Sequence, residues 1–236
     1  MRLISVVQHT SAEYLGLLED HLEGRGIRFK YFRPFTAGGQ LPAIDSVRDG
    51  LILLGGGPWG SAGGRDVPTL AQDVKLAHAA LMFESPVIGI GLGAQILAIA
   101  AGGGSAPTKL ELEMTTAHRV ADAALKGYLP EEYPLAIYMR DWPVPPAYAR
   151  ILARDRKERP VLWQIGERAF GFAGHPGLKL AMVEDLIMEF DESPANAGLA
   201  LEKLRLAQRA MEDALVPIMT GLVQLTGWMH DVPPPA

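Results

Sequence analysis

Short apolar runs that stop at glycine and alternate with amphipathic stretches constrain the fold of this chain more than any other feature. Leu3–Val7 reads as a buried strand, and residues 11–23 as a helix carrying Leu15, Leu18 and Leu22 on one face. Residues 27–32 and 50–54 predict two further strands, the second ending in Gly55-Gly56-Gly57-Pro58. Val67-Pro68 opens a helix to about Glu84, with proline at a permitted early position. Val87–Ile90 predicts the next strand and residues 92–101 the next helix. Strands and helices in this order form an α/β fold, a doubly wound, flavodoxin-like, mostly parallel sheet flanked by helices.

The pattern changes after Gly102-Gly103-Gly104. Shorter strands are expected at 135–139, 150–153, 161–165 and 169–173, the last two joined as a hairpin at Gly166-Glu167, with a helix at 117–125. Residues 178–190 read as a helix that Pro194 ends. From 199 to 229 apolar residues recur at heptad spacing: Leu204, Met211, Ile218 and Leu225, with Leu201, Leu215, Leu222 and Met229 between them. Pro217 should kink this helix or split it. The expected division is an α/β domain at 1–190 and a helical C-terminal extension with a Pro-rich tail at 191–236. The extension either packs on its own domain or forms an interface through Leu204, Met211, Ile218, Leu222 and Leu225. The second case implies a homo-oligomer or a protein partner.

Composition removes several classes of function. The 236 residues include no cysteine, which excludes disulfides, thiolate metal sites and a cysteine nucleophile. Net charge is −5, and the one basic stretch, Arg154-Asp155-Arg156-Lys157-Glu158-Arg159, is interrupted by acids, so it reads as a solvated turn and no nucleic acid is expected. No apolar run approaches the ~18 residues of a membrane span, and residues 1–7 read as a strand rather than a secretory leader. A cytoplasmic protein without cofactor is expected. No metal is expected either, because His9, His21, His78, His118 and His230 lack the spacing of a zinc site. His9 reads as a solvated loop residue, or as a group at the ligand-binding edge of the sheet.

Residues 86–95 (Pro-Val-Ile-Gly-Ile-Gly-Leu-Gly-Ala-Gln) read as a buried strand, a sharp turn and a helix start. That layout holds a nucleophile where backbone N–H groups and the helix dipole favour an anion. At its apex stands Gly91, which has no side chain.

Three ordered motifs, Leu54 to Pro58, Gly89 to Gln95 and Gly171-Phe172-Ala173-Gly174-His175-Pro176-Gly177, resemble the class I glutamine amidotransferase family. The likeness covers roughly residues 1–190 and is nearest to stand-alone members similar to the amidotransferase part of GMP synthase. The family's elbow reads Gly-Ile-Cys-Leu-Gly-His/Ala-Gln and its later motif Gln-Phe-His-Pro-Glu. The resemblance implies a thiolate that attacks the amide of glutamine, a His that moves the proton and a Glu that orients the His. By the same resemblance His175 holds the His position, Gly91 the Cys position and Gly177 the Glu position. Gly56, Gly57 and Leu92 match the backbone positions of the oxyanion hole, and Gln95 the position that helps fix bound glutamine. Tyr138-Met139-Arg140-Asp141 stands where related members have Trp-His-Gly-Asp, and Glu111 and Glu113 fall near a family Glu-Ile-Gly segment.

Loss of a triad nucleophile removes on the order of a million-fold in rate. The expectation is therefore a protein without glutaminase activity that binds a small amide, an amino-acid-like metabolite or a partner through the cleft. Two alternatives stay open: an enzyme of altered amide or γ-glutamyl chemistry using His175, and an amidotransferase subunit of a larger synthetase. Ser61, Ser105 and Thr108 read as turn hydroxyls rather than substitute nucleophiles. Trp59 either lines the mouth of the pocket or covers the core.

Overall fold

The computed structural model describes residues 2–229. Eleven strands are present among them: β1 (Leu3–Val7), β2 (Arg28–Phe32), β3 (Leu51–Leu53), β4 (Val87–Ile90), β5 (Gly104–Ala106), β6 (Glu111–Arg119), β7 (Glu132–Met139), β8 (Trp142–Val144), β9 (Arg150–Asp155), β10 (Pro160–Ile165) and β11 (Ala169–Phe172). The main sheet takes nine of them in the order β2-β1-β3-β4-β11-β10-β9-β6-β7. The first five in that order run parallel, and the rest continue antiparallel from the β10–β11 hairpin. Strands β5 and β8 pair separately. The helices are α1 (Leu17–Glu23), α2 (Leu70–Met82), α3 (Leu92–Ala100), α4 (Leu180–Glu189) and α5 (Ala197–Thr226).

Alternation along the strands sends their side chains to two cores. Ile4, Val6, Ile52, Ile88 and Ile90 pack toward α1 and α5, together with Leu18, Leu215, Ile218 and Leu222. Val7, Leu51, Leu53 and Val87 pack toward α2 and α3 on the other face. A third cluster joins α4 and the first half of α5 to β6 and β7, through Leu112, Tyr138, Val183, Leu186, Leu204 and Met211. In register, Val7 pairs with Leu53, Leu53 with Gly89 and Ile90 with Phe172. The segments leaving β1, β3, β4 and β11 therefore emerge at one edge of the sheet.

Two expectations change and two alternatives narrow. Helix α1 starts at Leu17 rather than at 11, because Gly16 just before it lies at φ 60° and ψ −128°, outside the helical region; the segment ahead is held by side chains, Thr10 Oγ1 taking the N–H of Glu13 and the Glu189 carboxylate those of Ser11 and Ala12. The helix expected at 117–125 is instead the end of β6 and a 3-10 turn at Ala124–Gly127. Short apolar runs do not separate helix from strand, and pairing with both β7 and β9 settles this one. Helix α5 runs through Pro217 without splitting, with Leu215 and Ile218 buried on either side of it. Finally, Leu204, Met211, Ile218 and Leu222 are at most 2% exposed and Leu225 packs against the main core, so the heptad face is buried in this chain rather than offered to a partner.

Candidate functional site

Gly91 lies between β4 and α3 at φ 56° and ψ −114°, a sharp strand-to-helix turn. Its N–H donates to the Phe172 carbonyl at 2.9 Å, which ties the elbow to the end of β11 just ahead of His175. Its carbonyl accepts the N–H groups of Ala94 and Gln95, opening α3. A Cβ built at position 91 meets only the Cα of Gly55, at 3.5 Å. The backbone of a nucleophile elbow is present, with room for a side chain that the residue does not carry.

Gly177 is the opposite case. The N–H of Leu17 donates to the Gly177 carbonyl at 2.9 Å, and a Cβ at 177 would stand 2.9 Å from the Leu18 nitrogen and nearer still to the Leu18 side chain. The start of α1 occupies the space a side chain at 177 would need.

His175 is buried, and both of its ring nitrogens are bonded to backbone. Its Nε2 lies 2.8 Å from the Tyr14 carbonyl, and its Nδ1 accepts the N–H of Gly177 at 3.1 Å. A carbonyl can only accept, so Nε2 carries the proton and the ring is the neutral Nε2–H tautomer. Burial pushes its pKa down to about 4, outweighing the Tyr14 bond that favours the charged form. The imidazole thus fastens the turn at 175–177 to the segment before α1.

Gln95 is likewise fully engaged. Its Oε1 accepts the Ser61 hydroxyl at 2.6 Å, and its Nε2 donates to the carbonyls of Arg140 at 2.7 Å and Asp141 at 3.3 Å. The Asp141 carboxylate accepts N–H groups from Ser61, Ala62 and Thr108 at 2.9 to 3.1 Å. Three loops are thus pinned around one amide and one carboxylate. Nearby, Arg140 Nε donates to the Pro58 carbonyl, and the guanidinium groups of Arg140 and Arg65 share the Glu192 carboxylate. What burial Glu192 has raises its pKa, but these two arginines hold it below the usual carboxylate range. Arg65 also stacks over the Trp59 ring at 4.9 Å, and the partly buried Trp59 packs on the α2–α3 core.

The residue that sequence reading missed is Glu13. It is 2% exposed, and its Oε2 accepts the N–H of Gly57 at 2.6 Å. Burial pushes its carboxyl up to about 7, against the lowering effects of the Gly57 bond and of His9, while Glu189 adds to the rise. A Cβ at Gly55 would collide with this carboxyl, so any larger residue there would have to displace it from Gly57. Leu92 covers Gly56, and Leu186 and Phe190 cover Gly57. Thr10 and Glu13 carry the spacing of a helix capping box, and Thr10 does bond the Glu13 N–H. The carboxyl, however, reaches across to the turn after β3 instead of back to its own backbone. His9 is buried beside it rather than solvated, with Nδ1 3.1 Å from the Leu54 carbonyl and Nε2 3.5 Å from Asp73.

No protein-family model and no curated protein sequence matches the chain. Solved structures do. A glutamine amidotransferase from Methylobacillus flagellatus superposes with a TM-score of 0.80 at 21% identity, over 95% of each chain. One from Thermotoga maritima gives 0.78 at 21%, over 95% of this chain and 98% of that one. A putative GMP synthase component from Thermoplasma acidophilum gives 0.56 at 17%, over 89% of this chain and 98% of that one.

The fold is that of the glutamine amidotransferases. On the amidotransferase frame, Gly91, Gly56, Gly57, Leu92, Gln95 and His175 gather at one sheet edge, with Ser61 and Thr108 joined to them through Gln95 and Asp141. Other residues lie elsewhere or serve other ends. Ser105 is in β5, and Glu111 and Glu113 pair with Arg159, which stacks on Trp142 at 3.8 Å. A cavity of about 980 Å³ opens at the opposite edge, among the ends of α2 and α3 and the β10–β11 turn, away from the elbow. Among the described residues no three acidic or His side chains group to hold a metal ion, and no helix is long and apolar enough to cross a membrane. His230 and the Pro-rich tail lie outside the described residues.

Proposed function

We propose that this chain is an amidotransferase-fold protein without glutaminase activity, which binds a small metabolite through the cleft at the elbow. The observation that carries the reading is the state of the three triad positions. Position 91 has no nucleophile, position 177 has no acid and no space for one, and the ring nitrogens of His175 are both bonded to backbone. A His that already holds its Nε2 proton and accepts at Nδ1 has no lone pair free to take a proton from a nucleophile. This also argues against the altered enzyme that would rely on His175 as base.

The test is ammonia release from glutamine by the purified chain. The expected rate is at the level of a triad stripped of its nucleophile, roughly a million-fold below an intact one. Turnover at ordinary amidotransferase rates would reject the proposal. Thermal-shift screening with amides and amines then looks for the ligand, because a ligand at a hundredfold excess over its Kd adds about 2.7 kcal/mol of stability.

A second reading is a subunit that docks on a synthetase. It is favoured by the fold shared with the putative GMP synthase component of Thermoplasma acidophilum and with PurLQS of Thermotoga maritima, which superposes with a TM-score of 0.52 over 81% of this chain. The buried heptad residues of α5 would not supply that interface, so it would have to use another surface.

A further inference from the structure

We propose that the Glu13 carboxyl is the resident acceptor of the glycine turn after β3 and sets the ligand class of the cleft, which rejects carboxylates and admits neutral or cationic nitrogen groups. The inference rests on the reading of this cleft as a binding site and adds what it can bind.

In an amidotransferase-like elbow, backbone N–H groups of the turn after the third strand face developing negative charge. Here the N–H of Gly57 is taken at 2.6 Å by Glu13 Oε2, from a residue 44 positions away in sequence. The carboxyl is fixed in place. Its own N–H is held by Thr10 Oγ1 at 3.2 Å, and the N–H groups of Ser11 and Ala12 by the Glu189 carboxylate at 3.2 and 3.1 Å. Gly55, without a side chain, gives it room. An entering carboxylate would find its donor occupied, and above pH 7, where Glu13 is charged, it would meet like charge as well. An amide or amine meets the reverse situation, a carboxyl that can accept its N–H. The Tyr138 hydroxyl is buried without a hydrogen-bond partner and lies within electrostatic reach of Glu13 and Glu192, so a second polar group stands on the same side of the sheet edge.

The test uses the full chain as wild type, Glu13→Ala and Glu13→Gln, with sodium acetate as the anionic probe and sodium chloride as the matched control. Thermal unfolding and the amide resonance of Gly57 are read together. Acetate is expected to raise the Tm of Glu13→Ala above its chloride control and to shift its Gly57 resonance, because the probe replaces the missing carboxyl. Wild type and Glu13→Gln are expected to show neither response, since their own side chains fill the place. Equal responses in Glu13→Ala and Glu13→Gln would overturn the proposal. Where Glu13→Ala does not fold, the wild-type spectrum decides: a Gly57 amide indifferent to acetate supports it, and one that moves with acetate refutes it. Ammonia release is a separate readout, so turnover would reject the inactive reading without moving these resonances.

Discussion

The elbow at Gly91 and the turn at Gly177 both carry glycine, yet they are physically different places. At 91 the sharp turn, the bond to Phe172 and the start of α3 are all present, and a Cβ would meet a single atom at ordinary contact distance. At 177 the chain leading into α1 lies against the backbone, and a Cβ would strike Leu18. At 91 only a side chain is absent. At 177 the closure is built into how two segments pack, so a single substitution cannot reverse it. His175 belongs to the second kind, because its bonds to Tyr14 and Gly177 are part of the same close approach.

The largest expected effect follows from that contrast. Gly177→Glu should cost about 3 kcal/mol or more, since overpacking against backbone forces α1 to shift. Chemical denaturation measures it, and a cost below about 1 kcal/mol would erase the distinction between the two sites.

Acid–base behaviour sharpens the comparison next. The pKa of His175 falls from 6.5 to about 4 on folding, so its contribution is present above pH 6.5 and lost as pH falls toward 4. The pKa of Glu13 rises from 4.5 to about 7, so its contribution is present below pH 4.5 and lost as pH rises toward 7. Each spans about 3 kcal/mol, and between pH 4.5 and 6.5 they oppose one another. Unfolding of Glu13→Gln across this window should show stability climbing with pH by roughly 1.4 kcal/mol per unit. His175→Gln should show it declining. Identical pH profiles for the two variants would mean that neither group is buried in the way described.

Gly91→Cys is a milder change, costing about 1–2 kcal/mol for a side chain at positive φ with no steric penalty beyond it. On the proposed reading it should release no ammonia from glutamine, because His175 stays bonded to backbone and position 177 stays closed. Activity in this single variant would show that His175 can leave its backbone partners. Smallest of all, Glu192→Ala should cost under about 1 kcal/mol, as expected for a half-exposed carboxylate shared by two arginines. If it costs several times that in equilibrium unfolding, the Arg65–Glu192–Arg140 bridge is a structural element rather than a rim contact.

Much of the α/β half is legible along the chain, since β1, β4, α3 and the β10–β11 hairpin are each specified by neighbours in sequence. The strand β6 is not, because Leu112 to Ala117 is short and of mixed character, and long-range pairing with β7 and β9 decides its state. At Pro217 the local rule allows a kink or a break, and only the tertiary structure shows that the helix continues, with Leu215 and Ile218 buried on either side. The same burial turns a heptad that resembles an interface into part of the core.

At the site, sequence alone determined that the apex of the elbow carries no side chain, since residue identity at position 91 needs no coordinates. Tertiary structure decided the rest: that Glu13 holds Gly57, that His175 is spent on Tyr14 and Gly177, and that position 177 is closed. Motifs record what adjacent residues do to one another. Most of these contacts join residues tens to well over a hundred positions apart, and only the register of the parallel strands, which brings four chain segments to one edge, sets which of them meet.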